Sequence, residues 1–157
     1  MTARWTALMV GLLLAIVSSV PGIGMADPPV QCTVAALDGL YIFAATGFFG
    51  LPVTSTSAPA QPKAIVELIR FNGDGSLDVP GATRSLNGTI AEIPAGGTGT
   101  YTVADLVPPD RACTGTLVFS PSGPHFDLFI APDGNQIRMI QTDTGNVFQG
   151  TATKLSR

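Results

Sequence analysis

The sequence predicts an all-β domain, an antiparallel up-and-down barrel of about eight strands, and three observations point there. Helical periodicity is nearly absent, because 18 Gly and 13 Pro interrupt any long apolar stripe beyond the N-terminal run. The segments between them are rich in Val, Ile, Thr, Phe and Tyr, which fit a pleated, half-buried surface. Turn signals recur at intervals of about ten residues, the spacing of short antiparallel strands. Closure into a barrel removes exposed strand edges; a two-sheet β-sandwich is the alternative arrangement of the same strands.

The chain opens with one charge, Arg4, then an apolar stretch from Trp5 to Val20, the helix breakers Pro21 and Gly22, and small residues at Gly24 and Ala26. That three-part layout is a secretory signal, residues 1–26, rather than a membrane anchor. Residues 27–37 form an N-terminal segment, and 38–157 the barrel. The whole chain holds 8 Lys and Arg against 11 Asp and Glu. Loss of Arg4 leaves seven against eleven, a net charge of -4, with the charges scattered. No basic stripe suits nucleic acid or an anionic membrane surface, and no later stretch is apolar enough for a membrane span. Cys32 and Cys113, the chain's two cysteines, are expected to pair in an oxidising compartment, tethering residues 27–37 to the barrel.

Taken in order, residues 39–47 make the first strand, with Leu40, Ile42 and Ala44 on one face and Tyr41, Phe43 and Ala45 on the other. The Pro/Ser/Thr-rich stretch 52–62 is irregular; with Phe48 and Phe49 before it, 48–62 is a candidate lid. Residues 64–71 are the second strand, closed by Asn72-Gly73-Asp74-Gly75. The third begins at 76–79, breaks at Pro80-Gly81 and restarts over 84–93. Further strands are expected at 99–103, 113–119, 126–131, 136–142 and 147–155. Between them lie Pro94-Ala95-Gly96-Gly97, Pro108-Pro109-Asp110, 121–124, Pro132-Asp133-Gly134-Asn135 and Asp143-Thr144-Gly145-Asn146. Their Gly, Asn and Asp supply the turn conformations.

Leu37-Asp38-Gly39-Leu40-Tyr41 resembles the Gly-x-Trp opening of the first strand in lipocalins and the wider calycin barrels, with Tyr41 in place of tryptophan. Thr142-Asp143-Thr144 resembles the Thr-Asp-Tyr turn of that superfamily. Gly99-Thr100-Tyr101-Thr102-Val103, Cys113-Thr114-Gly115-Thr116-Leu117 and residues 140–147 with Gly150-Thr151-Ala152 are similar to small exported bacterial β-barrel proteins of uncharacterised function. That similarity runs from about Asp38 to the end. It implies a small barrel, distantly lipocalin-like, and supplies no activity.

Sequence signals for catalysis and metal binding are weak. His125, the lone histidine, stands two residues from Asp127, a spacing that places both on one strand face, but no nucleophile motif accompanies them. Asp74 sits in a turn that lacks the remaining ligands of a calcium loop. Asn87-Gly88-Thr89 matches a glycosylation acceptor. No catalytic residue, metal ligand or cofactor motif is therefore assigned. Glu67 shares a face with Ile65, Ile69 and Phe71. Two facings stay open: inward, with a raised pKa or a partner such as Arg138 or Arg70, or outward, with Val66 and Leu68 in the core. Glu92 poses the same choice.

The remaining signal is apolar lining. Phe43, Phe71, Tyr101, Phe126 and Met139 are the expected ligand-binding residues, with Glu67 at a ligand's polar end. The expected function is non-catalytic binding of a small apolar or amphipathic molecule inside an exported barrel. The alternative is an interaction protein with a filled barrel, meeting its partner through outward residues such as Phe129 and Ile140. The protein purified from an exporting host should begin at Asp27 by intact mass; a chain still carrying residues 1–26 contradicts the signal assignment.

Overall fold

A computed structural model describes residues 31–50, 59–105 and 112–156. The signal segment 1–26 lies outside the described residues, as do 51–58 of the candidate lid. Among the described residues nine strands form one antiparallel sheet: β1 (Asp38–Phe49), β2 (Gln61–Asn72), β3 (Ser76–Leu86), β4 (Thr89–Ile93), β5 (Gly97–Asp105), β6 (Cys113–Phe119), β7 (His125–Ile130), β8 (Gln136–Gln141) and β9 (Val147–Ser156). β1 pairs with β2 on one side and β9 on the other, and β2 pairs with β3, which closes eight strands into a barrel. β4 lies outside the closed ring, paired to β3.

Period-two patterning carries the closure. In β7, Phe126, Leu128 and Ile130 are buried while His125, Asp127 and Phe129 are exposed, and β8 repeats the alternation with Ile137, Met139 and Gln141 inside. Inward residues of neighbouring strands meet in one core with Tyr41, Phe43, Ile69, Phe71, Leu117 and Phe148.

The expected break at Pro80-Gly81 is a bulge, and it changes which residues face inward. Leu68 pairs with Gly81 but Arg70 pairs with Asp78, so Val79 and Pro80 together oppose Ile69. One extra residue on β3 reverses its alternation: Leu77 and Val79 are buried below the bulge. Above it Ala82, Arg84 and Leu86 share the inner face of their partners Glu67, Ile65 and Lys63. The bulge also marks a change of neighbour. Below it β3 pairs with β5, ending at Val79 and Gly97; above it β3 pairs with β4. The expected strand 84–93 is instead a hairpin, turning at Asn87 (φ 49°) and Gly88 (φ 83°). Two positive φ values in succession suit the two-residue loop that matches strand twist, and Asn-Gly is its preferred sequence.

The two ends of the barrel differ. At the lower end a 3-10 turn, Val34–Ala36, leads into fully buried Leu37. Tyr101 Oη lies 3.0 Å from Val34 O and 2.9 Å from Leu37 O, and Tyr41 Oη donates to Gly134 O at 2.6 Å. The rings of Tyr41, Phe71 and Tyr101 meet edge to face at 5.1 and 5.0 Å. A Cys32–Cys113 disulfide staples this plug to β6, as expected. With the two cysteines 81 positions apart in sequence, the chain-entropy contribution is about 4 kcal/mol. Reducing it should lower the unfolding free energy by about 2–4 kcal/mol, read from urea transitions with and without dithiothreitol; coincident transitions would mean the plug holds without the staple.

Candidate functional site

At the upper end, the inner faces of β2 and β3 carry charge. Glu67 points inward and is 9% exposed, while its neighbour Val66 is 50% exposed, which decides the facing left open by the sequence. Arg138 and Arg70, the partners considered for it, both lie on the outside, and Arg138 Nη1 donates to Thr151 Oγ1 at 2.9 Å. Instead Lys63, four residues earlier on the same strand, and Arg84, beyond the bulge on β3, share the inner face with Glu67. The Lys63 ammonium sits 4.2 Å above the centre of the Phe148 ring, a cation–π arrangement.

These groups perturb one another. Burial is the main cause that raises the Glu67 pKa to about 7, and the positive charge of Lys63 opposes it. Burial also pulls the Lys63 pKa down, helped by the Arg84 charge and offset by Glu67 and Asp143. Among the described residues the Glu67 carboxylate makes no hydrogen bond and has no cation within 4 Å. Arg84 Nε, Gln141 Oε1 and Asn146 Oδ1 are buried without a hydrogen-bond partner. Unpaired buried polar atoms are costly, so several in one place mark a functional candidate.

The rim is braced by Asp143 in the β8–β9 turn. It accepts the His125 backbone N–H at 3.0 Å and the Gln141 amide at 2.7 Å, and its other oxygen lies 2.7 Å from His125 Nδ1. Slight burial disfavours the Asp143 charge, but these hydrogen bonds hold its carboxyl below the usual range. The partner of His125 is thus Asp143 and not Asp127, which pairs across the sheet with Thr116 and Ile140. That pair ties the start of β7 to the β8–β9 turn.

The expected lining residues divide between the two ends. Phe43 and Phe126 meet edge to face at 5.9 Å, and Phe126 contacts Phe119 and Phe148 at 6.0 and 6.5 Å. Together they underlie the charged mouth. Met139 is buried among the same inward residues. Phe71 and Tyr101 sit at the plugged end, some four residues along the strand from Glu67, or about 13 Å. All five belong to the packed core.

Lys63 and Arg84 were missed for different reasons. Lys63 continues the period-two series of Ile65, Glu67, Ile69 and Phe71, so that signal was present. Arg84 was hidden by the bulge, which reverses parity without a local marker beyond Pro80. Outside the barrel, a recess of about 530 Å3 runs past Val66, Leu68, Gly81, Thr83 and Glu92. Glu92 is exposed there, and Glu67 borders the recess while sharing the inner face of β2 with Ile65 and Ile69.

No family model matches the chain, and neither does any curated protein or solved structure. Among the described residues no group of three or more His, Cys, Asp or Glu side chains gathers, and no helix is long and apolar enough to cross a membrane.

The Glu67 environment has a pH signature. Between about pH 4.5 and 7, folded Glu67 keeps a proton that the unfolded chain has released. Its contribution therefore lowers stability as pH rises through that window and is constant above it. Glu67→Gln should stabilise the protein at pH 8 by about 2–3 kcal/mol and change little near pH 4.5, compared by urea unfolding at both pH values. An equal effect at the two would place Glu67 outside the desolvated mouth.

Proposed function

We propose that the protein is an exported, non-catalytic barrel that binds a small amphipathic molecule at its upper mouth. The observation that carries this function is the pair of buried atoms without a hydrogen-bond partner, Arg84 Nε and Gln141 Oε1, together with the desolvated Glu67, above an aromatic floor of Phe43, Phe126 and Phe148. A few convergent polar groups against an apolar surface are the usual make-up of a small-molecule site. The lower end supports the same assignment: the Tyr41, Phe71 and Tyr101 cluster and the stapled N-terminal segment fill it, whereas the unpaired polar atoms lie toward the upper end. Export is supported by the disulfide, which persists in oxidising compartments.

An interaction role is the second reading, and it has an observation of its own. A saddle of about 720 Å3 crosses the outer face, with Phe129 and Ile140 on one bank, Val66 and Ile90 on the other, and Ala44 and Gly150 between. Phe129 is 53% exposed and Ile140 44%, and exposed apolar patches mark contact surfaces when they are contiguous.

Native mass spectrometry of the protein from its exporting host separates the two. Small-molecule binding predicts a bound mass that disappears on denaturation. A ligand-free dimer or higher oligomer would replace it with the interaction role, and a ligand-free monomer would count against both.

A further inference from the structure

We propose that the upper mouth is a monoanion site, in which Lys63 and Arg84 hold the carboxylate head of the amphipathic ligand. This rests on the ligand-binding function above and names the ligand's chemistry. Charge balance inside the barrel is the first ground. Among the described residues the charged groups on the inner faces of the upper strands are Lys63 and Glu67 on β2 and Arg84 on β3. Asp143 adds its negative charge from the rim, where it acts on Lys63, so the mouth is balanced when Glu67 is ionised and holds one uncompensated cation when Glu67 is protonated. The facing parts of β1, β7 and β9 supply Ala45, Phe126 and Phe148 and add no charge. Arg138 on β8 and Glu92 on β4 point outward.

Hydrogen bonding is the second ground. Among the described residues neither Lys63 nor Arg84 has a carboxylate within 4 Å, and the Arg84 Nε–H is buried with no acceptor. A guanidinium presents its N–H groups as a fork that matches a carboxylate. An anion placed between the two cations supplies the missing acceptor and the missing charge together. Their strand positions suit this: Arg84 pairs with Ile65, and Lys63 lies two residues farther along β2 on the same inner face.

Glu67 then acts as an internal competitor. When it is ionised it fills the charge deficit, and when it is protonated the deficit is open to a ligand. Its pKa of about 7 places the change near neutrality. If anion binding and Glu67 ionisation exclude each other, apparent affinity falls by up to about tenfold from pH 6 to pH 8.

The test is calorimetric titration of the disulfide-intact protein at pH 6 with four probes: octanoate, octan-1-ol, octylammonium and acetate. Octanoate should bind best, with octan-1-ol weaker by about ten- to a hundredfold, the range for loss of charge-assisted hydrogen bonds, and octylammonium weaker still. Lys63→Gln and Arg84→Gln should each weaken octanoate by a similar factor and leave octan-1-ol unchanged. Glu67→Gln should flatten the pH dependence. Octan-1-ol binding as well as octanoate would overturn the monoanion site and leave small-molecule binding standing. Acetate binding as well as octanoate, and lost in both cation variants, would keep the anion site and remove the amphipathic ligand. Binding by none of the four would overturn both, and the wild-type panel decides this even if a variant fails to fold.

Discussion

Closure through the β1–β9 ladder is the constraint on which the rest of the molecule depends. β1 holds β2 through the register Phe43 to Glu67 and β9 through Phe43 to Ala152. Once the ring is closed, every second residue of eight strands must enter the same interior. Polar side chains that fall on the inner phase of a strand have no second face to escape to. Glu67, Lys63 and Gln141 are committed to the barrel by the same alternation that commits Phe43, Ile69 and Met139. Their desolvation follows from closure, and the perturbed acidity of Glu67 and Lys63 follows from the desolvation.

The bulge at Val79 and Pro80 modifies that constraint once. Proline has no N–H to give to a ladder and is tolerated at such irregularities. The extra residue turns Arg84 inward, toward Lys63, and turns Thr83 and Ser85 out. It also ends the β3–β5 ladder and hands the upper half of β3 to β4. A single local insertion thereby brings a second cation to the mouth and gives the barrel its one outer strand among the described residues. Bulges often re-aim a side chain beside functional sites, and here the side chain so re-aimed is a guanidinium whose Nε has no partner.

The barrel's two ends divide its tasks. Below, tyrosine hydroxyls reach backbone carbonyls across the chain, the aromatic rings contact edge to face, and the disulfide ties the N-terminal segment to β6. Above, the polar groups outnumber their partners. A small domain has little stability to spare, so leaving a carboxylate, a guanidinium and an amide oxygen incompletely matched in one region is an imbalance that a bound molecule would relieve. The His125–Asp143 contact steadies the rim and fixes the orientation of Gln141.

Much of the architecture was determined by the sequence alone. Alternation in β1, β7 and β8, the spacing of turns and the cysteine pair lead to a disulfide-stapled barrel, because each is a local or compositional property. Glu67's position beside Ile65 and Ile69 marked it as a possible interior acid for the same reason, and Lys63 was legible by extending that series one step. Only the tertiary structure decided that Glu67 faces in, that Arg84 joins it through a parity change, and that His125 meets Asp143 rather than Asp127. Those outcomes depend on the register between strands far apart in sequence, and period two within one strand does not specify it.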